Sequence, residues 1–334
     1  MSGGAVLATE IEQKDIRSHS PKSGGSTEAK AVGTSRWTPY ALLTPGFLWL
    51  AIFFVVPTIV LFFTSLYVGS LDQGYSFSFP GEWSTYVNAL QEYWPQFVRS
   101  FVFAGLATLF CLLLAYPLAY FIAFRSGKWK AAMLVLVIAP FFTSFLIRTL
   151  AWRTILQDDG VVMKVLTTLH ITDLMSHICT PGVVSDAMGN LCLTEPGRVL
   201  NTPLAVVLGL TYNFLPFMVL PLYASLDRMD PRLVEAAQDL YSSPWTSFRK
   251  VTWPLSMPGV VAGTLLTFIP AAGDYINAEL LGTTKVSMIG NVIQDQFVVV
   301  TDYPTASALS VMLMAVILVM VMIYVRRAGT EELV

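Results

Sequence analysis

The chain has 334 residues, 54% of them hydrophobic and only 13% charged, with a net charge of −2. A soluble domain carries roughly a quarter charged residues, so this composition, with its apolar residues clustered, excludes an ordinary soluble protein and points to an all-α polytopic membrane protein. No basic stripe interleaved with aromatics is present, so nothing favours nucleic acid as a partner.

Residues 1–38 are rich in Gly, Ser, Thr, Lys and Glu. Such a segment cannot bury enough apolar surface to fold and is expected to be a disordered cytoplasmic tail. Its mixed charge and the long apolar run behind it distinguish it from a signal peptide, so it is expected to be retained.

Six apolar stretches follow, near residues 40–67, 101–124, 131–152, 203–226, 258–281 and 305–324. Each supplies the about 20 helical residues that cross a hydrocarbon core. Pro57, Pro117, Pro140, Pro216, Pro221 and Pro270 lie within them, and proline kinks a membrane helix and frees carbonyls. Those kinks read either as ordinary helix shaping or as bends around a pathway. Basic residues gather on one side: 14 of the 20 lie in the tail, in Arg125 to Lys130, in residues 227–255 and at Arg326 and Arg327. That bias predicts cytoplasmic N- and C-termini, with 328–334 a short cytoplasmic tail.

The outer connection after the third stretch is long, with an extracytoplasmic insertion at about 165–200. It carries Cys179 and Cys192, a disulfide candidate outside the cytoplasm. A zinc site joining them to His170 and His177 fits no common spacing. Cys111 lies mid-span and reads as a small buried apolar residue.

Residues 227–256 form a polar segment between the fourth and fifth stretches. Asp230 is a good N-cap and Pro231 suits the first helical position. A short helix through Glu235, Ala236 and Ala237 is expected, then a second one from Ser243 to Lys250, with Pro254 and Pro258 starting the next span. Taken alone, the segment reads equally well as a solvated amphipathic loop. No Walker-A, HExxH or Gly-x-Ser-x-Gly pattern occurs in the chain, so energy is expected from a partner or an ion gradient.

Farther on, Asp274 and Tyr275 sit within the fifth stretch and Glu279 near its outer end. An acid inside a span is costly unless it faces a partner or a wet cavity. Asp274 reads either as facing such a cavity or as an N-cap at a helix break near Gly273. Trp152, Tyr212 and Asn213 are further aromatic and polar candidates. Arg148 and Arg153 would repel a cation, and Arg148 is expected to snorkel or to pair structurally.

Four stretches occur in a telling order: PFFTSFLIRTLAW (140–152), LPFMVLPLYASLDRMDPRLVEAAQDL (215–240), GDYINAELLG (273–282) and IGNVIQDQF (289–297). From about residue 42 to 327 the chain resembles the permease subunits of bacterial ABC importers of the spermidine/putrescine type. The resemblance implies the type I ABC importer permease fold with six transmembrane helices in a bacterial plasma membrane. It implies a second homologous permease subunit, an extracytoplasmic substrate-binding protein, and a dimeric ATP-binding subunit that holds ATP and Mg, leaving no cofactor and no metal to this chain. Glu235, Ala236, Ala237, Asp239, Leu240 and Tyr241 then belong to an ATPase-coupling helix, with Phe248 and Pro254 supporting it. A polyamine path wants carboxylates for ammonium groups and aromatic faces for cation–π contact, for which Asp274, Tyr275, Glu279, Trp152, Tyr212 and Asn213 are the candidates. Related permeases carry thiamine, ferric iron, molybdate, sulfate or phosphonates. An ion-coupled secondary transporter and a non-transporting scaffold are the readings outside this class. The chain departs from the family pattern at Tyr241, where a Gly is usual, and in the cysteine-bearing insertion, which has no counterpart.

Overall fold

The computed structural model describes residues 38–70, 74–77, 81–170, 198–240 and 243–328. The tail expected over 1–38 lies outside them but for its last residue, as do Cys179, Cys192, His177 and Tyr241. The chain falls into two compact units, Met1–Pro57 and Thr58–Val334. In the first, α1 (Thr38–Leu50) passes into a π-helical turn, Ala51–Val55, and α2 (Val56–Thr64) begins at the unit's end. The Val56 N–H reaches back to the Ala51 carbonyl. That widened turn precedes Pro57, whose ring would clash with the carbonyl four residues back in a regular helix.

The second unit holds the helical core. After a small antiparallel hairpin of β1 (Val68–Ser70) and β2 (Gly74–Ser76) come α3 (Ser84–Phe124), α4 (Lys130–Ile138), α5 (Phe145–Ile155) and α6 (Val161–Thr168). Then follow α7 (Pro203–Asp227), α8 (Pro231–Leu240), α9 (Pro244–Ser247), α10 (Trp253–Ala272), α11 (Ile276–Leu281), α12 (Ile289–Asp295) and α13 (Tyr303–Ala328). The core is the packing of α3, α7 and α10 on one another. On α3, Ala104, Ala107, Cys111, Ala115 and Ala119 recur every three or four residues and are all fully buried. Small residues in such a row let helix axes approach closely, which is how membrane helices gain packing without a hydrophobic drive between them. On α10, Gly259 and Gly263 do the same toward α7: an added Cβ would stand 2.6 Å from the Ser225 side chain and 2.7 Å from the Met218 sulfur. Cys111 is buried as expected, its thiol donating to the Thr211 carbonyl at 3.3 Å.

Among the described residues five helices are long and apolar enough to cross a membrane: Leu43–Thr64, Ser84–Phe124, Pro203–Asp227, Pro244–Ala272 and Tyr303–Arg326. A sixth is reached if the pair Gly127–Phe142 and Phe145–Ile155, bent by 93° at its break, counts as one broken span rather than a re-entrant loop. Three boundaries depart from the sequence reading. The helix that carries the second apolar stretch starts at Ser84, well ahead of residue 101, because Ala89 and Phe97 pack on Ile289, Leu309 and Leu313 despite the charges nearby. The third is broken rather than straight: Pro140 opens a 3-10 turn, Ala139–Phe142, and Thr143 is extended, with φ −98 and ψ 151. The fifth begins with the polar segment and ends early. From Pro244 to Ala272 the helix is unbroken, a π turn at Phe248–Thr252 accommodating Pro254, and it stops before Gly273, leaving α11 separate.

Candidate functional site

Two groups of residues stand out, one in the polar segment and one around the break after α10. In the polar segment the Asp230 carboxylate accepts the Arg232 N–H at 2.9 Å, so the expected N-cap and the proline behind it start α8. Ser243 takes the N-cap position of α9 without a side-chain capping bond. Glu235, Ala236 and Asp239 are exposed on α8, together with Leu233, while Ala237 and Leu240 lie on the same helix. The result is a short helix offering a mixed acidic and apolar surface.

What holds that helix in place is an aromatic cluster. Phe248 stacks on Trp245 with ring centroids 5.4 Å apart, meets the edge of Tyr116 of α3 at 5.5 Å, and lies 6.4 Å from Trp253 of α10. The Tyr116 hydroxyl is 2.8 Å from that of Ser256. Since α8 packs on α9 and the Phe248–Thr252 turn, the cluster ties the exposed helix to two core spans. Trp245, 69% exposed, was not singled out in the sequence; an aromatic in a short polar helix was the available signal, since such residues anchor interfaces. Phe248→Ala is expected to destabilise the subunit by about 2–3 kcal/mol, read as a lower thermal-unfolding midpoint in detergent; an unchanged midpoint would show that the cluster carries no packing energy.

The second group is a polar chain through four helices. The Asp274 carboxylate, 9% exposed, accepts the Asn277 backbone N–H at 2.8 Å and its side-chain N–H at 3.0 Å. Of the two readings of Asp274, the cap at a helix break is therefore realised at the start of α11. The Asn213 amide on α7 donates to Asn277 Oδ1 at 2.9 Å and to the Thr149 hydroxyl on α5 at 3.1 Å. Gly209, one turn before Asn213, permits this approach: an added Cβ would lie 2.8 Å from Asn277 Oδ1. On the far side the Asn291 amide of α12 donates to the Tyr275 carbonyl at 3.0 Å and to Glu279 Oε2 at 3.2 Å. Buried polar groups survive among apolar helices only when partnered in this way.

Around this chain lie the other candidates. Trp152 and Tyr212 meet edge to face with centroids 5.5 Å apart, and both are half-buried. Tyr275 and Glu279 are exposed. The structure thus brings Asp274, Tyr275, Glu279 and Asn213 into one linked region, with Trp152 and Tyr212 adjoining it on α5 and α7. Asn277, Asn291 and Thr149 were missed; two asparagines beside membrane-embedded acids were the signal. Arg148 forms no ion pair among the described residues, and of its two expected roles the structural pairing is the one present, with two aromatic rings. It lies under the rings of Phe141 and Phe145, at 5.1 and 5.7 Å.

Residues 115–328 match the family described as Binding-protein-dependent transport system inner membrane component. The chain is 34% identical over 281 residues to the spermidine/putrescine transport system permease protein PotB of Haemophilus influenzae, covering 84% of this chain and 90% of that protein. A solved bacterial ABC transporter involved in import of the acidic polysaccharide alginate has a chain of similar fold, with TM-score 0.64 and 20% identity over 87% of this chain and 95% of that one. A bacterial alginate ABC transporter in complex with an alginate pentasaccharide-bound periplasmic protein gives TM-score 0.63 and 19% identity, over 86% and 92% of the two chains.

Proposed function

This chain belongs to the family of inner membrane components of binding-protein-dependent transport systems, and from that premise we propose that it is one of two permease subunits of an ATP-driven importer of polyamines. It is a multi-pass transport permease of the inner membrane. A separate dimeric ATPase binds ATP and Mg and takes α8 into a cleft, an extracytoplasmic binding protein delivers the solute, and both termini are cytoplasmic. The observation that carries this reading is the Phe248 cluster, because a displacement imposed on α8 is passed directly to α3 and α10. Docked at the exposed Glu235 and Ala236, the ATPase moves these spans as it closes, and access to the path alternates.

Spermidine and putrescine are the solutes favoured, since the H. influenzae relative is named for them and the site has the chemistry they need. Glu279 is an exposed carboxylate beside the exposed Tyr275 ring, and the Trp152–Tyr212 pair offers aromatic faces to a cation. Asp274 and Asn213, both inside the hydrogen-bonded chain, hold the wall of the path rather than meet the solute. The test is reconstitution into liposomes with the ATPase, second permease and binding protein. ATP-dependent accumulation of spermidine is expected, with Glu279→Gln lowering uptake about tenfold. Accumulation without ATP, or none of either polyamine, would sink the proposal.

A further inference from the structure

A cavity of about 720 Å³ opens where α7 ends and α8 begins, within the about 300–1,000 Å³ that small-molecule sites span. Pro221, Ala224, Leu255, Pro258 and Ala262, from the last turns of α7 and the first half of α10, give it an apolar wall. Along α7 the lining then turns polar: Ser225, Arg228 at the helix end, and Asp230 just before α8.

Both charges on this rim are exposed. Among the described residues the Arg228 guanidinium forms no ion pair, since the neighbouring Asp227 is taken by Lys130. The Asp230 carboxylate holds only the Arg232 N–H, 2.9 Å from one of its oxygens. One cation and one anion, two residues apart beside an apolar wall, set the chemistry of the occupant. A polycation such as the proposed solute is opposed by Arg228, and a polyanion by Asp230. A small soluble zwitterion would leave the wall unused.

The wall belongs to two helices long and apolar enough to cross a membrane, and the charges follow directly on the apolar run of α7. Apolar first and charged after is the order of a phospholipid from acyl chain to headgroup. The matching headgroup carries a phosphate, which a guanidinium takes as a charge-assisted pair, and an N–H cation for the carboxylate. Phosphoethanolamine has both. Phosphoglycerol lacks the cation, and the quaternary ammonium of phosphocholine has no N–H to donate.

We propose that this cavity holds one phospholipid with a phosphoethanolamine headgroup, its phosphate on Arg228, its ammonium on Asp230 and an acyl chain against Pro258 and Ala262. Bridging the end of α7 and the start of α8, the lipid fixes the angle at which α8 leaves the core.

The experiment titrates the full-length chain, purified in detergent with its co-purifying partners, with phosphatidylethanolamine, phosphatidylglycerol and phosphatidylcholine, and counts bound lipids by native mass spectrometry. One phosphatidylethanolamine per copy of this chain is expected, held about tenfold more tightly than either of the others. Arg228→Gln, on the exposed rim, and Ala262→Phe, which fills the wall, each weaken that binding about tenfold, whereas Arg326→Gln, outside the cavity, leaves it unchanged. A photoreactive benzoyl-phenylalanine in place of Leu255 should label lipid in the intact membrane. Equal binding of the three lipids, binding undiminished by Arg228→Gln, or a label found only on protein overturns the inference. The label is read with Arg228 and Ala262 intact, so a misfolded variant does not blunt the test. Neither measurement uses ATP or solute, so failure of the transport reading is distinguishable from failure of this one.

Discussion

Replacing Glu235 with arginine is expected to leave this subunit folded in the membrane but to separate ATP hydrolysis from uptake. Glu235 is exposed on α8 and makes none of the described hydrogen bonds or ion pairs that hold the helix, whose cap is Asp230 and whose support is the Phe248 cluster. The fold of the segment should therefore survive the change. Its interface should not: truncating or reversing a charge in a protein interface costs about 2–5 kcal/mol, a factor of roughly 30 or more in occupancy of the docked state. ATP-driven uptake in proteoliposomes should fall by at least that factor, while hydrolysis by the ATPase continues. Equal uptake by Glu235→Arg and the unaltered protein would remove α8 from the transmission of force.

The second large effect is expected at Asp274. Its carboxylate receives two hydrogen bonds from Asn277, which in turn links to Asn213 and through it to Thr149. Alanine there leaves the Asn277 donors buried without an acceptor, at about 2–3 kcal/mol, and removes the cap of α11. The thermal-unfolding midpoint should drop by several degrees and uptake should be lost, because α11 carries the Glu279 side. Asp274→Asn keeps an acceptor oxygen for the Asn277 backbone N–H and should recover most of the midpoint with only partial recovery of uptake. If alanine and asparagine behave alike in both measurements, the cap is not what Asp274 contributes.

Local signals carried the sequence reading furthest. Asp230-Pro231 announced the start of α8 because the capping bond is made within two residues. Gly273-Asp274 offered a break only as one of two readings, within a span drawn on to residue 281, although its capping partner, Asn277, is three residues away. The 93° bend was hidden, since hydropathy runs unbroken through Phe141 and Phe142 and only Pro140 marks it. Likewise the early start of α3 depends on Ile289 and Leu309, about two hundred residues later, which pack with Phe97. The links from Asn213 to Thr149 and Asn277 each span 64 residues. Such pairings obey no periodicity, so they become visible only once the helices are side by side.

The unbroken helix from Pro244 to Ala272 has a mechanical corollary. At 1.5 Å per residue its 29 residues make a rod about 40 Å long. One end is embedded in the Phe248 aromatic cluster and the other abuts the Asp274 cap. On the proposed reading such a rod is a lever: a five-degree tilt imposed at its Phe248 end sweeps the far end through roughly 3–4 Å, about the width of a methylene chain. The stroke at the Asp274 end is then set by the length of one helix, and shortening it by a turn would shrink the throw in proportion.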